Sequence, residues 1–246
     1  MRREPRIIEV RQNVLKRNDL LARELRREFR EAGVGVVSLV SSPGSGKTAL
    51  LERTLTLLQP RFRVAALVGD LATENDAARL ARSKAPVKQI ITGTVCHLDA
   101  EMVRKALDGW KLADFELLFI ENVGNLVCPA SYDLGEDMRV VLMSVTEGED
   151  KPLKYPDMFA AADVMLLNKC DLLPYLEFDA DLAEANARRV NPHLTIFRVS
   201  ATSGDGLSAW LDWIQSGLEA LRGKRSESVD ALKRRVAELE RQLAVK

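Results

Sequence analysis

The sequence predicts an α/β protein, a mostly parallel sheet flanked by helices, with helical extensions at both ends. Three observations predict it. Seven apolar runs of strand length, at residues 36–40, 64–68, 87–91, 115–120, 140–145, 164–167 and 194–199, are separated mostly by helix-forming stretches. Strands alternating with helical patterns give parallel βαβ units, covered on both faces. The first run enters a glycine-rich turn that leaves directly into a helical stretch, and both ends of the chain carry helical periodicity alone. The expected division is an N-terminal amphipathic helix over 1–33, an α/β domain over 34–223 and a helical or short coiled-coil extension over 224–246.

Composition sets the outer limits. A chain of 246 residues, 46% hydrophobic and 29% charged, suits one large globular domain or a domain with appendages. Lys+Arg and Asp+Glu both total 36, so no net field argues for nucleic acid or an anionic membrane. Basic residues near the N-terminus are not followed by an apolar core, so a secretory signal is not expected, and no apolar stretch approaches a membrane span. Three cysteines do not make a disulfide framework. The expected compartment is the cytoplasm.

Residues 8–32 read as one helix, with Val10, Val14, Leu21 and Leu25 on a shared face and charged residues elsewhere. Gly33 and Gly35 end it. The expectation is an amphipathic helix covering the edge of the sheet. After the first strand, Ser41-Ser42-Pro43-Gly44-Ser45-Gly46-Lys47-Thr48 matches G-x-x-x-x-G-K-[ST], with Ser41 in place of the first glycine. Gly44 and Gly46 allow a tight fold in which backbone N–H groups, including those of Ser45 and Ala49, converge on phosphate. The new helix adds the positive end of its dipole. Lys47 would reach the β- and γ-phosphates and the Thr48 hydroxyl would ligate Mg²⁺. This motif, between strand and helix, indicates a P-loop nucleoside triphosphatase.

In parallel sheets ligands sit beyond the carboxyl ends of the strands, so motifs that follow strands should gather on one edge. Asp70 closes the second strand, where a carboxylate can hold a Mg²⁺-bound water, orient the attacking water or cap a helix. Asp76 is a further candidate for that neighbourhood. After the fourth strand, Glu121-Asn122-Val123-Gly124 resembles the DxxG element that senses the γ-phosphate, with Glu for Asp; Glu121 would act on Mg²⁺ through water and the Gly124 amide would meet phosphate. After the sixth, Asn168-Lys169-Cys170-Asp171 matches NKxD, whose aspartate accepts from the guanine N1–H and exocyclic amine. Adenine would leave that carboxylate unpaired. Ser200-Ala201 follows the last strand in the place of the supporting loop. The predicted substrate is GTP, hydrolysed to GDP and phosphate.

Cysteine and histidine are scarce but placed together. Cys96-His97 follows the third strand, and Cys128 follows Gly124 by four residues. A buried cysteine is usually a small hydrophobe; a Cys-His pair with a second Cys on one edge suits Zn²⁺ or Ni²⁺. Three ligands leave a fourth position open in one chain, or two chains share a site. Cys170, the free position of NKxD, reads as filler, and His193 as a turn residue.

These residues together resemble the hydrogenase nickel-incorporation GTPases, the HypB family, through SSPGSGKTALLERTL, GDLATENDA, TGTVCHLDA, ENVGNLVCPASYDLGED, TEGEDKPLKYP, NKCDLL and VSATSGDG. The resemblance spans residues 34–210, and the N-terminal helix also fits. It implies a SIMIBI-type G domain, GTP-dependent homodimerisation, and a metal site from Cys96, His97 and Cys128 at the dimer interface. It further implies nickel delivery to the large subunit of [NiFe]-hydrogenase with a HypA-type zinc protein as partner. Some relatives carry N-terminal Cys or His clusters; residues 1–40 contain neither. Urease accessory GTPases share the P-loop but carry a Cys-Pro-His motif absent here. A GTP-switched scaffold with structural cysteines and a nucleotide kinase are the alternatives, NKxD and the lack of an Arg-rich lid opposing the second. Past Gly223, Val229, Leu232, Val236, Leu239 and Leu243 make a short heptad that suits either packing on its own domain or a partner coiled coil.

Overall fold

The structure is a computed structural model that describes residues 6–71 and 75–244, with side chains described for 12–71 and 76–226. Seven strands form one sheet: β1 (Gly35–Ser41), β2 (Val64–Asp70), β3 (Val87–Ile91), β4 (Leu117–Glu121), β5 (Met138–Ser144), β6 (Val164–Asn168) and β7 (Thr195–Arg198). Their order is β3-β2-β4-β1-β5-β6-β7, and every pair is parallel. β1, β4 and β6 are buried at every position. That is why the sequence shows continuous apolar runs there rather than alternation.

Helices cover both faces. On one, α2 (Lys47–Leu58) and the start of α8 (Leu207–Ala244) pack Leu50, Leu51, Trp210, Ile214 and Leu218 against Val37, Leu39, Phe119 and Val140. On the other, α1 (Arg6–Ala32) and α4 (Ala100–Ala106) lie over β1, β4 and β2. The same face beyond β5 is covered by α6 (Pro156–Ala160) and α7 (Ala180–Val190). The short helices α3 (Asn75–Leu80) and α5 (Lys151–Lys154) complete the connections. No helix among the described residues is long and apolar enough to cross a membrane.

Two expectations change. α1 does not cover a sheet edge; it packs on the face, with Ala22, Leu25 and Phe29 sharing a cluster with Val36, Leu118 and Ile120. The buried stripe is Asn18, Ala22, Leu25 and Phe29, whereas Val14 is 49% exposed and Leu21 only partly buried. Asn18 takes the place of an apolar residue because its amide is satisfied: Nδ2 donates to the Asp133 carbonyl at 2.8 Å and Oδ1 accepts from Ala100 N at 2.9 Å. The side chain of Val10 lies outside the described residues. At the other end, the helix that begins at Leu207 runs unbroken through Gly223 to Ala244. The side chains of Val229, Leu232, Val236, Leu239 and Leu243 also lie outside the described residues.

Candidate functional site

The parallel register brings the predicted motifs to one edge. Leu39 and Val68 both stand opposite Glu121, and Ser144 stands opposite Asn168. The carboxyl ends of β1, β2, β4, β5 and β6 therefore meet where the P-loop leaves β1.

Within the loop, Gly46 adopts φ +89° as the residue preceding α2. A Cβ there would lie 2.6 Å from Asn168 Nδ2, so only glycine admits this approach. Lys47 and Thr48 open α2 and converge on one carboxylate: Lys47 Nζ lies 3.0 Å from Glu121 Oε1, and Thr48 Oγ1 donates to the same oxygen at 2.6 Å. The Glu121 side chain is 1% exposed and that of Lys47 is 10% exposed. Glu121 Oε2 is buried with no hydrogen-bond partner among the described residues. Asp70 ends β2 two residues beyond the position opposite Glu121, and its Oδ1 accepts from Leu71 N at 2.7 Å. Asp76 falls in the first turn of α3. Gly124 sits so close to the P-loop that a Cβ would meet Pro43 at 3.2 Å. The DxxG-like loop thus rests directly on the phosphate loop.

The NKxD stretch is locked onto the same loop. Asn168 Nδ2 donates to Ser45 O at 2.9 Å, and Ala201 N donates back to Asn168 Oδ1 at 3.2 Å. Lys169, at φ +63°, donates to Gly44 O at 2.7 Å. Ser200 Oγ donates to Asp171 Oδ1 at 2.6 Å while accepting from Thr202 N and Ser203 N. Asp171 is thereby oriented with its second oxygen unused in that contact. Cys170 turns inward: its thiol donates to Leu167 O at 3.1 Å, and burial pushes its pKa up. His193 is exposed in a turn.

Cys96, His97 and Cys128 come together, with ligand atoms all within 4.8 Å of one another. The two sulfurs are 3.3 Å apart and all three residues are half-buried. Burial lowers the pKa of His97 against a smaller upward pull from Asp99, a shift toward the neutral form that metal ligation uses. Its Nδ1 is buried with no hydrogen-bond partner among the described residues. Two thiols and an imidazole with an unclaimed nitrogen fit a soft or borderline divalent ion.

Three residues around this cluster escaped the sequence reading. Asn122 Oδ1 accepts from Leu98 N at 3.0 Å and from Val123 N at 2.9 Å. Asn125 Nδ2 donates to Cys96 O at 3.2 Å while its Oδ1 accepts from Val127 N at 2.9 Å. Both asparagines lie between Glu121 and Cys128 and tie that loop to the one bearing Cys96 and His97. The ring of Tyr132 packs on His97, centroids 3.9 Å apart. Two asparagines flanking Val123-Gly124 signal turns in the sequence, but not which loop they reach.

The family model for the CobW/HypB/UreG nucleotide-binding domain matches residues 35–198. The chain is 54% identical over 240 residues to the hydrogenase maturation factor HypB of Azotobacter vinelandii, covering 96% of this chain and 77% of that one. This chain belongs to the HypB family. Solved HypB structures superpose on it. The HypB of Helicobacter pylori, solved in complex with nickel, aligns at TM-score 0.79 and 38% identity, covering 83% of this chain and 96% of its own. The HypB of Archaeoglobus fulgidus aligns at TM-score 0.77 and 38% identity, covering 82% and 99%. HypB proteins are hydrogenase maturation factors on a P-loop GTPase fold, and the seven-stranded parallel sheet here is that fold.

Proposed function

We propose that this chain hydrolyses GTP and uses the nucleotide state to gate nickel held at Cys96, His97 and Cys128, for maturation of a [NiFe]-hydrogenase large subunit. The observation that supports it best is the continuous path from the P-loop to the thiolates. Glu121 contacts Lys47 and Thr48, Gly124 rests on Pro43, and Asn125 holds Cys96 within the same loop that ends at Cys128.

The residues fit Mg²⁺ as well as nucleotide. Thr48 Oγ1 and the carboxylates of Asp70 and Glu121 are hard oxygen donors, and Glu121 Oε2 is a buried oxygen that lacks a partner among the described residues. Thr48 would hold the ion directly, with Asp70 and Glu121 reaching it through water; when bound, Mg²⁺ neutralises charge on the β- and γ-phosphates. On GTP binding, Lys47 exchanges Glu121 for the phosphate oxygens, where its charge counts most as the γ-phosphoryl transfers. The amides of Gly44, Ser45, Gly46, Lys47, Thr48 and Ala49 cradle the phosphates, and the Gly124 amide meets the γ-phosphate. Asp70 orients the attacking water, which adds to phosphorus as the bond to the β-phosphate oxygen breaks, leaving GDP and phosphate. Asp171, oriented by Ser200, accepts from guanine, while Asn168, Lys169 and Ala201 fix the loop that presents it.

Nickel is the cargo, and Zn²⁺ is its competitor for the same donors. Three ligands leave a tetrahedral or square-planar set incomplete, and Val127 beside Cys128 is 61% exposed. A GTP-dependent homodimer that meets on this edge would close the site with a second copy's ligands, and a HypA-type zinc protein would exchange metal there. The cytoplasmic placement expected from the composition belongs to this proposal. The test is stoichiometric titration with Ni²⁺ and Zn²⁺ of the reduced protein and of Cys128→Ala. The reading expects thiolate-to-metal absorption in the parent chain that is lost in the variant while GTP hydrolysis persists. Metal binding undiminished in Cys128→Ala would refute the assignment.

A further inference from the structure

At the opposite end of the sheet, where β1 and β5 begin, α1 and α8 enclose a depression of about 1000 Å³ with Val34, Leu218 and Leu221 in its lining, Val34 and Leu218 buried and Leu221 partly exposed. Its wall is strongly basic although the chain as a whole is neutral. Two of its arginines are already held from outside, Arg26 by Asp133 at 2.6 Å and Arg222 by Glu116. Four more arginines and a lysine line it: Arg23, Arg27, Arg30, Arg225 and Lys224. Among the described residues, the carboxylates in the lining are Glu31 and Asp137. Asp137 faces Arg30 at 3.5 Å, and Glu31 makes only a long 3.9 Å contact with Arg27. Arg225 donates to the Glu31 carbonyl rather than to a carboxylate. Among the described residues, Arg23 and Lys224 pair with no carboxylate.

Like charges crowded into one concavity repel unless a counter-charge arrives. Arginine forks meet carboxylates two bonds at a time. The space is far larger than one tetrahedral anion, and its lining is partly apolar. A nucleic acid would be tracked by an extended cationic stripe; here the positive groups converge on a single bounded hollow. We propose that this basic hollow docks a short acidic segment of a partner protein in which carboxylates flank an apolar anchor, the anchor resting on Leu221. Because it lies at the amino ends of the strands, the partner stays bound while the nucleotide edge engages GTP and metal. This surface stands independently of the assignment of the Cys96, His97 and Cys128 cluster.

The test uses the full chain and a fluorescein-labelled Glu-Glu-Leu-Glu-Glu peptide, read by anisotropy in low salt. The expected result is saturable one-to-one binding that weakens at higher salt and falls about tenfold or more in the double variant Arg23→Glu/Lys224→Glu. A peptide with Ala for Leu should bind several-fold more weakly, and one with Lys for Glu should not bind. Both substituted residues are exposed, and unchanged GTP hydrolysis and circular dichroism confirm that the variant is folded; salt dependence of the parent chain is read separately. Absence of saturable binding, affinity equal in parent and variant, or displacement by inorganic tripolyphosphate at lower concentration than by unlabelled peptide would overturn the proposal. The last outcome would reassign the hollow to phosphate anions.

Discussion

Lys47, Thr48 and Glu121 form a buried cluster knit by hydrogen bonds, whereas Cys96, His97 and Cys128 form a half-buried one carried by loops. In the first, an ammonium and a hydroxyl share a single buried carboxylate oxygen, all held by β1, α2 and β4. In the second, two half-buried thiols and an imidazole are carried by loops, and His97 Nδ1 has no hydrogen bond among the described residues. On the proposed function, the contrast follows from what each would do. A phosphate cradle works best preorganised, because its donors then need no rearrangement as charge develops. A site that releases its ion needs ligands whose relative positions can change. Asn122 and Asn125 join the two, since they belong to the loop that starts at Glu121 and bond to the loop that carries Cys96.

Substitutions should separate the two clusters. Lys47→Ala removes a transition-state charge and should cut kcat for GTP by roughly 10²–10³. Metal affinity measured without nucleotide should stay unchanged. Near-normal turnover would show that the phosphate cluster is misassigned. Asp171→Asn addresses the base alone: it should weaken GTP by roughly ten- to a hundredfold, since a lost charged hydrogen bond costs ~1.5–3 kcal/mol, and should favour xanthosine triphosphate. Competition binding with the two nucleotides reads this, and an unaltered preference would remove the guanine assignment.

The smallest expected effect is also the most specific to the junction between the clusters. Asn125→Ala deletes the bond to the Cys96 carbonyl without touching a thiolate or a phosphate donor. Net hydrogen bonds of this kind are worth ~1 kcal/mol. The variant should bind GDP and metal separately within a few-fold of the parent, yet lose most of the dependence of one on the other. Asn125→Asp keeps the acceptor for Val127 N and loses the donor to Cys96 O, so it should behave like the alanine variant. If either variant retains the full dependence, the asparagine is a loop staple only.

Much of this was legible in the sequence because burial on both faces forces long apolar strands, and parallel topology forces the motifs after them to one edge. The convergence of Cys96, His97 and Cys128 follows from that rule, as all three trail strands β3 and β4. The face of α1 was legible only in part, at Leu25 and the partly buried Leu21. Hydrophobicity put Val14 inward, but the buried position is Asn18, whose partners Ala100 and Asp133 are more than eighty residues away. Asn122, Asn125 and Tyr132 were missed for the same reason: their polar or ring contacts are long-range or cross a loop, and no local period encodes them. The boundary between domain and extension was placed after Gly223, whereas one helix passes through it; a glycine costs a helix interior only about 1 kcal/mol, and packing by Leu218 and Leu221 on its N-terminal side holds the turn before it.

The central claim is that nucleotide state and metal affinity are linked through residues 121–128. Linkage is reciprocal, so a change in metal affinity caused by GTP must be matched by an equal change in GTP affinity caused by metal. The decisive measurement is Ni²⁺ affinity with GDP and with a non-hydrolysable GTP analogue, at matched dimer content. A coupling of ~1–3 kcal/mol predicts a difference of several-fold to about a hundredfold. Equal affinities in the two states would contradict the account and leave Cys96, His97 and Cys128 as a passive site.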